Sequence, residues 1–143
     1  MKILFVCTGN TCRSPMAEGI FRKMLEERGL DDSIFCQSAG LSAVEGEPAA
    51  KNAVLACREI GVDISQHQAR RLTGEELLLW DVFFTMSQTH GYILEQAGVP
   101  AESIYVPGEI DDPFGQDLEI YRRCRDRLQA KLTVFLDKIV LRF

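Results

Sequence analysis

A cysteine and an arginine lie six positions apart near the start of the chain, in the segment CTGNTCRS at residues 7–14. A cysteine thiolate is a nucleophile, and the planar guanidinium of Arg13 can hold two oxygens of a phosphate. The hydroxyl of Ser14 can donate a hydrogen bond that helps Cys7 leave in a second step. These residue types in this order indicate phosphoryl transfer through Cys7.

The backbone of the same segment could wrap a phosphate. Gly9 and Asn10 tolerate left-handed backbone angles, which lets successive N–H groups of the loop point inward. A helix beginning near Ser14 would add the positive end of its dipole, which favours a bound anion and the thiolate form of the cysteine. The bare Cys-x5-Arg spacing is a weak signal, and its alternative is a buried structural cysteine beside a surface arginine.

The surrounding elements are predicted from the spacing of apolar residues. Short apolar runs predict strands at residues 2–6, 34–38, 81–86 and 103–106. Helical spacing, with proline or glycine near several ends, predicts helices at residues 16–28, 48–60, 87–97 and 117–140. This alternation predicts one α/β domain over residues 1–143, with a parallel sheet covered by helices on both faces. Ligands bind beyond the carboxyl ends of such strands, where the segment 7–14 follows the first strand.

Composition excludes several classes of function. The net charge of -5 offers no general attraction to nucleic acid or to an anionic membrane. The apolar run before Cys7 is too short for a signal peptide or a membrane span, and an odd number of cysteines argues against a disulfide framework. We therefore expect a cytoplasmic protein with reduced thiols. Two histidines without metal-ligand spacing predict no metal site, and no cofactor is implied.

At residues 7–18 the sequence CTGNTCRSPMAE closely resembles the low-molecular-weight protein tyrosine phosphatase family, which also contains bacterial protein arginine phosphatases. The resemblance runs nearly end to end and includes SAG at 38–40, DISQH at 63–67, Asp81 before a strand and DPFG at 112–115. It implies a three-layer α/β sandwich with a four-stranded parallel sheet, a phosphocysteine intermediate and a phosphorylated protein as partner.

The resemblance also implies roles for individual residues. Cys7, Arg13 and Asp112 match the nucleophile, the phosphate-binding arginine and the general acid. Taken alone, Asp112 before a proline is more typical of a turn, and the adjacent Asp111 could be confused with it. We choose Asp112 because the family acid immediately precedes proline. Four further residues match a hydrogen-bond network that, in the family, holds the phosphate-binding loop in its strained shape: Asn10, Ser14, Ser38 and His67.

The remaining loop residues are predicted to contact the substrate: Thr8, Gly9, Asn10, Thr11, Cys12 and Ser14, joined by Phe114 after the acid. For Cys12 the alternatives are a small packing residue and a redox role, and the resemblance favours a protective disulfide. The other three cysteines, on apolar faces, are given no function, and His90 is expected on a helix surface.

The substrate side chain is predicted from Thr11. Phosphotyrosine members usually carry a bulky aliphatic residue there, whereas the arginine phosphatases carry threonine, whose hydroxyl could accept a guanidinium N–H. The stretch 41–46 has no aromatic residue, and only Phe114 remains of the aromatic residues that line the pocket of tyrosine phosphatases. Phosphoarginine is therefore the predicted substrate, and phosphotyrosine is the alternative.

Two other functions fit the loop less well. The related thioredoxin-coupled arsenate reductases need two further cysteines near the third strand, and residues 81–90 contain none. The second is a noncatalytic module that only binds phosphate. The presence of both a nucleophile, Cys7, and a candidate general acid, Asp112, argues against it.

Overall fold

The computed structural model describes residues 1–141; the last two residues of the predicted domain, 142 and 143, lie outside the described residues. Four strands form one sheet: β1 (Lys2–Cys7), β2 (Phe35–Gly40), β3 (Val82–Thr85) and β4 (Ile104–Tyr105). The order is β2-β1-β3-β4, and each neighbouring pair is parallel. The predicted four-stranded parallel sheet is confirmed.

Helices cover both faces of this sheet: α1 (Arg13–Glu27), α2 (Lys51–Arg58), α3 (Gln88–Gln96) and α4 (Leu118–Val140), with short 3-10 turns at Gly74–Glu76 and Ala101–Ser103. Side chains of β1 alternate between the two faces, as a pleated strand requires. Ile3 and Phe5 pack in the core formed with α1, α2 and α4, whereas Leu4 and Val6 pack in the core that contains Leu94 of α3. The result is the predicted three-layer sandwich.

Element boundaries differ from the sequence prediction in ways that matter for the site. Helix α1 begins at Arg13, next to the start near Ser14 that the loop suggested and three residues before the apolar spacing that begins at residue 16. Helix α2 begins at Lys51 rather than at residue 48, because Pro48 pairs with Gln68 in an antiparallel bridge and Ala50 is extended. Residues 8–12 are therefore the whole connection between β1 and α1, at the carboxyl end of a central strand.

Within residues 1–141, no helix combines the length and the apolar character needed to cross a bilayer. The same residues contain no group of three or more acidic, histidine or cysteine side chains placed to hold a metal ion.

Candidate active site

A cavity of about 260 Å³ opens where β1 ends and α1 begins. Its floor is the loop between them, called the phosphate loop below and defined as residues 7–14. The cavity is lined by Cys7, Thr8, Gly9, Asn10, Thr11, Cys12, Arg13, Glu47, Asp112 and Phe114. The structure thus brings nine of the predicted site residues to one cavity, and the tenth lining residue, Glu47, was not predicted.

The sulfur of Cys7 lies at the buried end of this cavity. Its Sγ is 2.8 Å from Ser14 Oγ and 3.3 Å from the backbone N of Asn10. Ser14 Oγ also accepts a hydrogen bond of 2.8 Å from Asn10 Nδ2, which leaves the serine hydrogen to be donated to the sulfur. Two hydrogen-bond donors are therefore directed at the one sulfur atom.

Asn10 is the centre of the hydrogen bonds that shape the loop. Its φ is 57°, and its side chain is fully buried. Besides the bond to Ser14, Asn10 Nδ2 donates to Ser38 Oγ at 3.0 Å, and Asn10 Oδ1 accepts from the backbone N of Arg70 at 2.9 Å. His67 Nε2 lies 2.8 Å from the Asn10 carbonyl oxygen. These bonds hold a left-handed conformation that is costly for a residue other than glycine.

Of the two loop residues that tolerate a left-handed conformation, Asn10 adopts it. Gly9 does not adopt a left-handed φ, so Asn10 alone supplies that turn among residues 8–12. The close approach occurs instead at Gly40, at the end of β2. A Cβ atom there would lie 2.6 Å from the Thr8 carbonyl oxygen and 3.0 Å from Asn10 Cβ. Glycine at position 40, the last residue of the SAG segment, therefore leaves the space that the phosphate loop occupies.

Arg13 crosses the base of the cavity and is only 7% exposed. Its Nη1 donates to the Ile110 carbonyl oxygen at 3.1 Å, and its Nη2 lies 3.5 Å from Asp112 Oδ2. Its Nε is buried and has no hydrogen-bond partner among the described residues. Because buried polar groups are normally paired, this orphaned donor is suited to an anion bound in the cavity.

Asp112 reaches the cavity from the segment before α4, called the acid loop below and defined as residues 111–114. Its side chain is half exposed, and its Oδ1 accepts the backbone N–H of Phe114 at 3.1 Å. Asp111 lines a different cavity, with Arg123 and Arg127. Geometry therefore separates the two neighbouring carboxylates, and Asp112 is the one that faces Cys7.

Cys12 also lines the cavity, and its Sγ lies 3.2 Å from the hydroxyl of Tyr121 on α4. Burial raises the pKa of Cys12, although hydrogen bonds from Tyr121 and Thr11 act against this. The pKa values of the three remaining thiols are raised by burial to about 12: Cys36, Cys57 and Cys124. Those three are packing residues, as the sequence indicated.

Sequence reasoning missed several residues around the loop. The expectation that His90 lies on a helix surface is wrong: it is 6% exposed, and its Nε2 is 2.9 Å from Thr8 Oγ1. Glu18 accepts a hydrogen bond of 2.7 Å from Ser38 Oγ and so completes the network around Asn10. Glu18 is the last residue of the motif at 7–18, so the motif could have identified it as a site residue. Glu47 lies in a segment that contains no recognisable motif.

Comparison with known proteins agrees with this fold and site. Residues 2–141 match the family described as low molecular weight phosphotyrosine protein phosphatase. A protein-arginine-phosphatase of Bacillus subtilis is 36% identical in an alignment of 141 positions that covers 92% of this chain and 92% of that protein. Proteins named arsenate reductase and low molecular weight protein-tyrosine-phosphatase also occur among the relatives.

Solved structures of such proteins have the same fold. A low molecular weight protein tyrosine phosphatase from T. tengcongensis superposes with a TM-score of 0.89 at 38% identity, covering 96% of this chain and 99% of that one. The YwlE arginine phosphatase, as a C7S mutant with a phosphorylated active-site serine, gives a TM-score of 0.90 at 33% identity and covers 97% and 95%. The chain belongs to the low molecular weight phosphotyrosine protein phosphatase family, a family of cysteine-dependent phosphatases.

Proposed function

We propose that this protein hydrolyses phosphoarginine in proteins through a phosphocysteine intermediate on Cys7. The observation that carries the proposal is one cavity lined by a buried thiol, a half-exposed carboxylate and an arginine whose Nε has no hydrogen-bond partner in the described part of the chain. Those three groups are the nucleophile, anion-binding group and proton donor that phosphoryl transfer needs.

In the first step the Cys7 thiolate attacks phosphorus. The S–P bond forms while the bond from phosphorus to the leaving nitrogen breaks, and Asp112 in its acid form gives that nitrogen a proton. The phosphoryl oxygens lie in the phosphate loop, where backbone N–H groups, the N-terminus of α1 and Arg13 stabilise their charge. A bound phosphoryl group accepts hydrogen bonds from the guanidinium of Arg13, including its Nε, which has no hydrogen-bond partner within residues 1–141.

In the second step a water molecule attacks the phosphocysteine. The Asp112 carboxylate accepts a proton from this water, the P–O bond forms, and the S–P bond breaks. The electron pair returns to Cys7, where a hydrogen bond donated by Ser14 Oγ, 2.8 Å from the sulfur, stabilises the departing thiolate. Inorganic phosphate is then released, and the site returns to its starting state.

The choice of phosphoarginine rests on the walls of the cavity above the phosphate loop. Thr11 supplies a hydroxyl whose only protein contact among the described residues is a long one, 3.8 Å to Cys12 Sγ. Glu47 adds a carboxylate with no ion pair within residues 1–141. An anion-binding floor below a hydroxyl and a carboxylate suits a substrate whose phosphoryl group is attached to a guanidinium.

Phosphotyrosine is the second candidate because Phe114 lines the same cavity and is 70% exposed. Its ring could stack on a phenol. Among residues 1–141 no second aromatic side chain lines the cavity, so these residues would hold a phenol on one face only. The relatives named for arginine phosphatase activity support the first candidate, and those named for tyrosine phosphatase activity support the second.

Replacing Thr11 by isoleucine tests the choice between these substrates. Thr11→Ile keeps a β-branched side chain, removes one acceptor and adds apolar surface suited to a phenol. Loss of one hydrogen bond to a charged group predicts a decrease of about 10- to 150-fold in kcat/KM on a phosphoarginine peptide, with phosphotyrosine turnover unchanged or raised.

The measurement is kcat/KM of wild type and Thr11→Ile on peptides that differ only in the phosphorylated residue. Thr11→Ser is the matched control, because it keeps the hydroxyl and should retain the preference for phosphoarginine. A wild type that prefers phosphotyrosine, together with equal losses on both peptides in Thr11→Ile, would show that Thr11 is only a loop residue.

A further inference from the structure

A chain of three hydrogen-bonded side chains runs from the start of α3 to the rim of the catalytic cavity. Ser87 Oγ lies 3.0 Å from His90 Nδ1, and His90 Nε2 lies 2.9 Å from Thr8 Oγ1. His90 is buried, whereas Thr8 is exposed at the cavity. The steps proposed above use none of these three side chains.

The direction of these bonds follows from counting hydrogens. Ser87 caps α3, and its Oγ already accepts the backbone N–H of His90 at 3.2 Å. If Nδ1 were protonated, Ser87 Oγ would accept two hydrogens, and its own hydrogen would have no acceptor within residues 1–141. Protonation on Nε2 avoids this, because Ser87 then donates to Nδ1 and Nε2–H is donated to Thr8 Oγ1. The hydrogen of Thr8 remains available to the cavity.

The surroundings of His90 favour the neutral form of the ring and fix its position. Burial lowers the pKa of His90, and Arg13 lowers it further, while Glu109 and Asp112 act in the opposite direction. Helix α3 lies close to β4, because residue 91 is a glycine: a Cβ there would be 3.2 Å from Val106 Cγ2 and 3.3 Å from Ile104 Cγ2. The imidazole is therefore held at a fixed position beside the phosphate loop.

We propose that His90 is a positioning residue that turns the Thr8 hydroxyl hydrogen toward the phosphoryl group bound over Cys7. The proposal rests on the proposed phosphatase site, whose cavity Thr8 shares with Cys7 and Arg13. Thr8 then contributes a side-chain donor in addition to the backbone N–H groups of the loop. An oriented donor that needs no rearrangement during the reaction stabilises the transferring group more than a freely rotating hydroxyl would.

Four variants test this arrangement. Thr8→Val removes the hydroxyl at nearly constant shape, and Thr8→Ser keeps it. His90→Leu removes the donor to Thr8, and His90→Gln offers an amide N–H in its place. Binding of inorganic phosphate and of vanadate is measured by calorimetry, kcat and KM are measured with an aryl phosphate, and the melting temperature reports on folding.

Thr8→Val should weaken phosphate and vanadate binding by about 10- to 150-fold, the usual range for a hydrogen bond to a charged group. Thr8→Ser and His90→Gln should keep most of the affinity. His90→Leu should lower affinity in the wild-type background but add little in a Thr8→Val background, because both changes remove the same contact. Thr8 is exposed, so its valine variant is expected to fold.

The proposal would be overturned if the Thr8→Val variant bound phosphate as tightly as the wild-type protein does. It would also be overturned if the losses of phosphate affinity in Thr8→Val and His90→Leu multiplied when the two changes were combined. A His90→Leu variant with a lower melting temperature but unchanged phosphate affinity would overturn it as well. Phosphate binding needs no turnover. A wild type that binds phosphate but hydrolyses no phosphorylated peptide would contradict the proposed function and not this assignment.

Discussion

The phosphate loop and the acid loop face the same cavity but are held in opposite ways. Asn10 in the phosphate loop is fully buried, and it has hydrogen bonds to Ser14, Ser38, His67 and Arg70. The acid loop carries a half-exposed Asp112 and a Phe114 that is 70% exposed. Within the described residues the Asp112 carboxylate has two polar contacts, a 3.5 Å approach to Arg13 and a local hydrogen bond from the backbone N–H of Phe114.

This difference matches the two tasks of the proposed mechanism. A group that stabilises charge in the transition state works best when its donors are already in place, so a rigid phosphate loop is an advantage. A proton donor must meet leaving groups and water in succession, which an exposed side chain at the cavity mouth can do. Changes in the phosphate-loop network should therefore affect both folding and activity, whereas changes in the acid loop should affect activity alone.

The largest effect is expected from Cys7→Ser. The hydroxyl of serine is a far weaker nucleophile and a poorer leaving group than a thiolate, so multiple turnover should be abolished while phosphate binding is largely kept. Steady-state hydrolysis and phosphate titration of the same preparation measure the two properties. Substantial steady-state turnover by Cys7→Ser would contradict the nucleophile assignment.

Mild peroxide should inactivate the enzyme reversibly through a disulfide between Cys7 and Cys12. Both thiols line one cavity, and a reactive thiolate with a second thiol beside it is the usual arrangement of a redox sensor. Peptide mapping before and after treatment with a reducing agent identifies the bond, and Cys36→Ser is a control outside the cavity. Recovery of only sulfinic or sulfonic acid on Cys7, with Cys12 untouched, would rule this out.

Asp112→Asn should slow hydrolysis by about 10² to 10⁴-fold, the usual contribution of a general acid. The melting temperature should stay near that of wild type, because the side chain is half exposed. Asp111→Asn is the matched control, since Asp111 faces another cavity and should lose much less activity. Equal losses in the two variants would refute the choice of Asp112.

A smaller effect, this time on stability, is expected from Ser38→Ala. The change leaves a hydrogen of the buried Asn10 amide unpaired and removes the donor to Glu18, so the free energy of unfolding should fall by about 1 to 3 kcal/mol. Ser42→Ala, at an exposed position after β2, is the control. Urea unfolding curves compare the two, and equal stability would mean that the network around Asn10 does not hold the loop.

The fold and the floor of the cavity were predictable because each is determined by the order of residues within short segments of the sequence. Apolar runs located the strands, and the segment 7–14 follows the first of them in both the prediction and the structure. Ser38 and His67 were expected near the loop from the family resemblance, and they lie within hydrogen-bond distance of Asn10. Their functional role stays a prediction, as do the roles of the catalytic residues.

What the sequence did not predict depends on contacts between distant segments. Glu47 enters the cavity because residues 46–50 pair with Ala69 and with Thr11 through backbone hydrogen bonds. His90 has the sequence surroundings of an exposed helical residue, and only the packing of α3 against β4 brings it to Thr8. The sequence indicated that both Gly9 and Asn10 tolerate a left-handed conformation but not which of them adopts it. Asn10 does, and its buried side chain has partners that glycine lacks.

The most direct test of the account is to identify the covalent intermediate during turnover of a phosphoarginine peptide. Rapid acid quench of the wild-type enzyme, followed by peptide mapping, should find up to one phosphoryl group per chain, bound to the sulfur of Cys7. Asp112→Asn should carry the same modification on a slower time course. Hydrolysis of the peptide without a phosphorylated enzyme, or with the phosphoryl group on another side chain, would contradict the central claim.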